Sequence, residues 1–262
     1  MDGSPMFSRK AKHRFFVPPP QIHDGNVCIR GTDVWHMTKV LRLSPGQKIV
    51  VFDGTGREYL VVLETVKRQE VFGVIQEQWA QVSESRLKLT LVQAIPKADK
   101  MDLIVQKAAE IGVNEIIPLN SARSVWGTKT KHSQPAKVHQ RLERWSRIGI
   151  EAAKQSGRSS VPLIRPVLSL DELFIQPQQA DVKLLLWEEE EQRTFKETLR
   201  TQKSPVQSAA IVIGPEGGFS QEESERFHQH GYLPVLLGKR ILRTETAGLV
   251  VLGILQYEFG DY

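Results

Sequence analysis

The sequence predicts an α/β protein in two parts, a small β-barrel over residues 1–82 and a mainly parallel α/β domain over residues 83–262. Three observations carry this. From residue 87 onward, strand-like apolar runs alternate with helical stretches, the pattern of a parallel sheet covered by helices on both faces. Before residue 80, several short strand-like runs accompany a single helical stretch, which suits a small barrel. Between residues 209 and 223, an apolar strand runs into Gly-Pro-Glu-Gly-Gly and then a helix start. Gly214, Gly217 and Gly218 leave that turn bare, as a plain turn or a ligand lying against it would require.

The elements follow in order. "HRFFV" is a short aromatic run ended by Pro18, Pro19 and Pro20. In "TDVWHMTKVLRL", Val34, Met37, Val40 and Leu41 keep helical spacing, with Thr32 or Asp33 as the cap. "KIVVFDGTGREYLVVLETV" reads as two strands joined through Asp53-Gly54-Thr55-Gly56, a hairpin signal, and "EVFGVIQEQWA" adds a strand with Gly73 inside it. The boundary falls in "VSESR" at 82–86. "LKLTLVQAI" is a buried strand, and "KADKMDLIVQKAAEIGV" a helix capped by Asp99 with Met101, Ile104, Val105, Ala108 and Ile111 on one face. "NEIIPL" is a strand, and 136–156 a long basic helix with Trp145, Ile148 and Ala152 toward the core. "VPLIRPV", "VKLLLW", "AAIVIG" and "LPVLLG" are further strands. Ser220 and Glu223 form a capping box. A last helix starts at Thr244 or Glu245, with Thr244 and Thr246 as good caps. From Leu249 to Leu255 it is apolar nearly all round, so it is buried in its own core or against a partner subunit.

The 262 residues, 40% hydrophobic and 25% charged, have a foldable composition. Thirty-five Lys and Arg against 30 Asp and Glu leave +5, a lean toward a polyanionic partner. Two clusters concentrate that charge. Arg9, Lys10, Lys12 and Arg14 lie beside Phe15 and Phe16, and Lys137, Arg141 and Arg144 form a helical stripe. Both are candidate RNA contacts. Cys28 is the single cysteine, which excludes an internal disulfide and suits a reducing, cytoplasmic setting. No apolar leader and no uncharged apolar run of about 18 residues is present, so no membrane association is expected.

The chemistry concentrates at two strand ends, the glycine turn after Ile213 and "LGKRILRTETA" after Leu237. In open α/β sheets, ligands sit outside the carboxyl ends of strands. A third strand ends at Trp187 and enters the acidic "EEEE". Neither glycine stretch is a Walker or dinucleotide motif, no metal-ligand spacing occurs, and no nucleophile elbow is present. The residues alone therefore indicate a backbone-lined cofactor pocket without metal.

"KADKMDLIVQKAAEIGVNEIIPLNSARSVW", "IVIGPEGGFSQEE" and "LGKRILRTETA", with "HRFFV", "HMTKVLRLSPGQKIVVFDGTGREY" and "GIEAAKQSGRSSVP", together resemble the 16S small-subunit ribosomal RNA uridine-N3 methyltransferases of the SPOUT class. The resemblance spans nearly the whole chain and rests on six motifs in the family order. It implies a PUA-like N-terminal barrel that binds RNA, a C-terminal SPOUT domain with a deep trefoil knot, a homodimer, and S-adenosylmethionine as cofactor. The cofactor residues it implies are Leu186, Trp187, Ile213, Gly214, Glu216, Gly217, Gly218, Leu237, Gly238, Ile241, Leu242, Thr244, Thr246 and Ala247. Two positions depart from the family pattern: Lys239 stands where proline is common, and Ala122 where glutamate is usual.

Uridine N3 must lose its proton and be held in line with the methyl donor. Arg240 and Arg243 are the candidates for holding a phosphate or a uracil carbonyl, and Glu216 or Glu245 for taking the proton. Two alternatives share the fold: a SPOUT methyltransferase with another RNA target, and a non-catalytic RNA-binding relative. A nucleotide hydrolase lacks an acid pair for metal and a phosphate lysine.

Overall fold

The computed structural model describes residues 11–80, 83–124, 135–176, 178–202 and 205–262. They form two compact units. One comprises the described residues up to Glu84 together with Ala153–Val161, and the other Ser85–Ala152 and Pro162–Tyr262. A division at 82/83 leaves out the return of Ala153–Val161 to the first unit. Glu84 anchors that segment: its carboxylate accepts the amides of Ser159 and Ser160, both at 3.0 Å, and Arg158 Nη2 at 2.8 Å. No periodicity in the sequence signals such a contact.

The first unit is a six-stranded sheet of β1 (Arg14–Phe16), β2 (Ile22–His23), β3 (Asn26–Arg30), β4 (Lys48–Phe52), β5 (Arg57–Val66) and β6 (Glu70–Ala80). Its spatial order is β1-β4-β5-β6-β3-β2. The predicted β4–β5 hairpin turns through Asp53, whose Oδ1 accepts the Thr55 amide and hydroxyl at 2.8 Å each. Strands β2 and β3 escaped the sequence reading, because they are short and bend around Asp24 and Gly25, both at positive φ. The helical stretch forms as α1 (Thr32–Trp35) and continues as a π-turn over His36–Val40. Neither Thr32 nor Asp33 caps it. Gly31 holds the N-cap, and Asp33 pairs with Lys154 at 2.7 Å. Val34 and Met37 close the barrel core with Val27, Ile49 and Val61.

Arg14 is not available to RNA. Its guanidinium lies 3.9 Å from the centre of the Phe52 ring, and its Nη2 pairs with Glu58 Oε1 at 2.6 Å and donates to Arg158 O at 2.6 Å. Partners this close and half-buried consume the charge that the sequence offers.

The second unit is a seven-stranded sheet of β7 (Lys88–Ala94), β8 (Glu115–Asn120), β9 (Leu163–Ile164), β10 (Leu168–Ser169), β11 (Val182–Leu186), β12 (Ser208–Ile213) and β13 (Leu233–Val235). The order is β10-β8-β7-β12-β11-β13, with β9 also on β8, and every pairing is parallel. Among the described residues six helices accompany it: α2 (Lys100–Ile111), α3 (Pro135–Ser156), α4 (Leu170–Ile175), α5 (Phe195–Arg200), α6 (Gln221–Gln229) and α7 (Thr244–Phe259).

Alternation along the strands sorts the core. Leu89, Leu91, Leu184, Ile211 and Ile213 face Met101, Ile104 and Val105 of α2 and Val251, Leu252 and Leu255 of α7. Val92, Ile117, Leu185, Ala210 and Val212 face Leu173 of α4, Phe227 of α6 and Phe219 just before that helix. The capping box at Ser220 and Glu223 is present. Asp99 holds the N-cap of α2, although its side chain accepts no hydrogen bond there. Helix α7 is buried on one side only: Val250 and Ile254 stay exposed, and Tyr257 is 73% exposed. Among the described residues, no helix is long and apolar enough to cross a membrane.

Gly73 in β6 faces the β5 backbone so closely that an added Cβ would lie 2.5 Å from Val61 Cγ1 and 2.7 Å from Val62 O. Gly73→Ala should therefore destabilise the first unit by about 1–3 kcal/mol. A lowered urea midpoint at unchanged slope would register it; an unchanged midpoint would mean that β5 yields freely.

Candidate functional site

Strand β11 lies between β12 and β13, so the carboxyl ends of these three strands adjoin. Their ends frame a cavity of about 730 Å³ within the second unit. Small-molecule sites fall in the range of about 300–1,000 Å³. Leu186 and Trp187 line it from β11, Ile213, Gly214 and Glu216 from β12, and Leu237, Gly238, Ile241, Leu242, Thr244 and Ala247 from the connection into α7. Arg240 and Arg243 stand there too. The apolar members make walls, while the connection supplies polar backbone. No backbone amide from Gly238 to Leu242 finds an acceptor among the described residues.

Three residues named from the sequence do not line the cavity. Gly217 turns its carbonyl to Arg123 Nη1, which donates at 2.8 Å. Gly218 closes the turn, its amide donating to Pro215 O at 3.0 Å with φ +65°, and an added Cβ would sit 2.0 Å from Glu188 Oε1. Both glycines shape the turn from behind. Thr246 is exposed, and its amide donates to Arg243 O at 2.8 Å.

Lys100, Glu188, Glu190, Glu191, Pro215, Leu236 and Lys239 line the cavity without having been named as cofactor contacts. The acidic run after β11 was the available signal for three of them. Nothing local marks Lys100, which comes from the start of α2, far away in sequence.

Two polar clusters fix the geometry. At the first, Thr244 Oγ1 donates to Gly214 O at 2.6 Å and accepts from Gln93 Nε2 at 2.9 Å. Gln93, fully buried in β7, also donates to Ala94 O at 2.9 Å. Thr244 was expected to cap α7. Arg243 occupies the N-cap instead, and the Thr244 hydroxyl crosses to the glycine turn.

At the second cluster, Lys100 Nζ sits between two carboxylates, 2.9 Å from Glu216 Oε1 and 3.2 Å from Glu245 Oε2. The amide of Lys97 donates to both Glu216 oxygens at 3.2 Å each. The carboxylate of Glu216, which accepts from Nζ, and then that of Glu245 hold the Lys100 ammonium above its ordinary range. Burial pushes the Glu216 carboxyl up, but the Lys100 ammonium and the backbone amides outweigh it and leave the group below its ordinary value of 4.5. A carboxylate so held is a weak base. That counts against Glu216 as the proton acceptor and assigns it to the turn.

Glu245 is less encumbered, since among the described residues its Oε1 meets only Arg243 Nη1, at 4.0 Å. Arg240 and Arg243 are exposed, and the Arg240 guanidinium has no partner among the described residues. Of the remaining basic candidates, Lys12 and Lys137 are exposed, Arg141 is exposed, and Arg144 pairs with Asp102. Arg9 and Lys10 lie outside the described residues.

These groups fit S-adenosylmethionine. Apolar walls suit an adenine ring, free backbone amides suit its nitrogens, and the glutamates of the rim suit a cationic sulfonium and ammonium.

Comparison with known proteins gives the family. Residues 83–256 match the RNA methyltransferase domain family, and residues 29–76 the RNA methyltransferase PUA domain family. The ribosomal RNA small subunit methyltransferase E of Bacillus subtilis is 33% identical over 233 residues, covering 88% of this chain and 89% of the relative. A crystal structure of a ribosomal RNA small subunit methyltransferase E from Neisseria gonorrhoeae bound to S-adenosyl methionine superposes with a TM-score of 0.81 at 31% identity, covering 95% of this chain and 99% of that one. A putative methyltransferase from Legionella pneumophila in complex with the bound cofactor SAM gives 0.81 at 33% identity, with 95% and 98% covered.

Thr244→Val should leave Gly214 O and one N–H of Gln93 Nε2 unpaired, lowering stability by about 1–3 kcal/mol and weakening cofactor binding. Urea unfolding and calorimetric titration would measure the two effects. The Lys100–Glu216 contact has a pH signature as well. Because Glu216 is depressed on folding, its contribution is present above 4.5 and is lost as pH falls through the lower folded value. The stability difference between wild type and Glu216→Gln should therefore shrink as pH falls below 4.5. A constant difference from pH 7 to 3 would contradict the ion pair.

Proposed function

The chain belongs to the RNA methyltransferase family, and on that premise we propose that it transfers the methyl group of S-adenosylmethionine to N3 of one uridine in 16S small-subunit ribosomal RNA. The observation that carries this reading is the cavity at the ends of β11, β12 and β13, where the unspent amides of Gly238–Leu242 meet apolar walls beside the exposed Arg240 and Arg243. The 233-residue match to a small-subunit methyltransferase supports the RNA as substrate.

S-adenosylmethionine supplies, when bound, a methyl group already activated on a sulfonium. The chain's own task is to hold the uracil and manage its N3 proton. Arg240 and Arg243 stand at the cavity rim with free or loosely held guanidiniums, which suit a phosphate and a uracil carbonyl. Stabilising negative charge on that carbonyl loosens the N3 proton. Glu245 Oε1 is the acceptor we assign, because the Glu216 oxygens are taken by Lys97 and Lys100. Lys100 keeps both carboxylates in place. Alignment of N3 with the methyl donor contributes most, on the order of several kcal/mol.

The active species in this reading is a cytoplasmic homodimer. Its support is the apolar side of α7, where Val250, Ile254 and Tyr257 are exposed, together with Leu103 of α2. A second copy covering this side would complete the burial that an apolar helix requires. The sheet order, with β12 between β7 and β11, is compatible with the trefoil knot of the SPOUT class.

Small ribosomal subunits from cells lacking the gene, incubated with the protein and labelled S-adenosylmethionine, should gain one methyl at a uridine N3, located by nuclease digestion and mass spectrometry. Cofactor binding without transfer would mean a different substrate. Glu245→Gln should lower kcat at least about 100-fold with cofactor affinity kept, whereas Glu216→Gln should act mainly on cofactor affinity. Equal loss of kcat in both would refute the assignment. Ile254→Glu should halve the sedimenting mass; an unchanged mass would place the subunit contact elsewhere.

A further inference from the structure

In the first unit, the outer side of α1 and its π-turn is exposed in a way that folding does not require. Trp35 is 64% exposed and Val40 52%. The Trp35 ring meets no partner among the described residues. The Leu41 amide donates to His36 O at 2.9 Å, and this wide turn brings residues five apart onto one face. Trp35 and Val40 therefore share that face, with Lys39 beside them and Arg42 just beyond, all exposed. Arg42 takes φ 52°, a conformation that costs a side-chain-bearing residue energy.

The inner side is firmly held. Val34 and Met37 are buried in the barrel core, and the Phe15 and His36 rings meet edge to face at 6.3 Å. Asp33 is the acid within this helix, and it is neutralised by Lys154 at 2.7 Å. Lys39 and Arg42 have no ion pair among the described residues. The outcome is an exposed indole on a turn anchored by Val34 and Met37, with two exposed cations in the same segment.

We propose that Trp35, Lys39 and Arg42 form a stacking platform for a single-stranded stretch of RNA, with an unpaired base on the indole and neighbouring phosphates on the two cations. Any base offers a π-face to an indole, and cations beside it suit the backbone of the same strand. A second copy of this chain is a poorer occupant, since a two-fold contact through this face would set Lys39 and Arg42 against their own kind. The inference rests on the RNA methyltransferase reading but concerns a different surface from the cofactor cavity.

The test is fluorescence anisotropy with a fluorescein-labelled, unstructured, uridine-rich RNA of about a dozen nucleotides, against the same sequence as duplex. Trp35→Ala should weaken single-strand binding by about tenfold and duplex binding far less, while Trp35→Phe stays within about threefold of wild type. Lys39→Gln should reduce the slope of log affinity against log salt by about 0.7. The thermal midpoint and the affinity for S-adenosylmethionine should not move in any variant. Equal single-strand affinity in wild type and Trp35→Ala would overturn the platform, as would an equal loss on duplex. A smaller sedimenting mass for Trp35→Ala would overturn it too, by making the face a subunit contact. Methyl transfer to small subunits separates the two readings. If wild type transfers methyl and Trp35→Ala binds and transfers as well as wild type, this inference alone fails. If wild type transfers none but binds single strands through Trp35, the uridine reading alone fails.

Discussion

One hydroxyl sets the geometry on which the cavity depends. Thr244 Oγ1 receives the Gln93 amide of β7 and donates to the Gly214 carbonyl after β12, so a single atom joins two central strands to the start of the last helix. Gln93 stands opposite Ile213 in the β7–β12 ladder and is wholly buried, where an unmet amide would cost about 1–3 kcal/mol. The sheet therefore holds the glycine turn and the α7 connection at a fixed distance, and that spacing is the cavity.

Around this point, each loop is latched to another by a group with two duties. Glu223 completes the capping box of α6 through Ser220 and also accepts the Ala122 amide at 2.8 Å. Because the donor there is backbone, alanine in place of the usual glutamate leaves this latch intact. Arg123, the next residue, fixes the Gly217 carbonyl. Lys100 bridges Glu216 of the turn and Glu245 of α7. Each contact is modest, but together they preorganise a loop region that carries few regular hydrogen bonds of its own.

The first unit uses charge differently. Arg14, Glu58, Arg158 and Glu84 form half-buried and buried contacts that bind Ala153–Val161 to the sheet. Basic residues spent this way add specificity of packing and remove positive charge from the surface. The sequence cluster around residues 9–14 therefore overstates the charge on offer, whereas the helix at 32–42 presents more than its composition suggested.

Much was legible in the residues themselves. Continuous apolar runs and helical spacing marked the parallel sheet and its helices, because burial on both faces leaves a direct trace in hydrophobic pattern. The glycines at 214, 217 and 218 and the Arg-Thr-Glu-Thr run marked the ends that frame the cavity, since chain reversal against a ligand demands those residue types. Tertiary structure alone decided what side chains do once distant segments meet. It gave Thr244 to Gly214 rather than to its own helix, placed Lys100 between two glutamates, engaged Arg14 inside the barrel unit, and turned Gly217 and Gly218 away from the cavity. Local pattern records which side of an element is buried, while the partner of a polar group depends on contacts between residues 30 to 151 apart, such as Gly214 with Thr244 or Gln93 with Thr244.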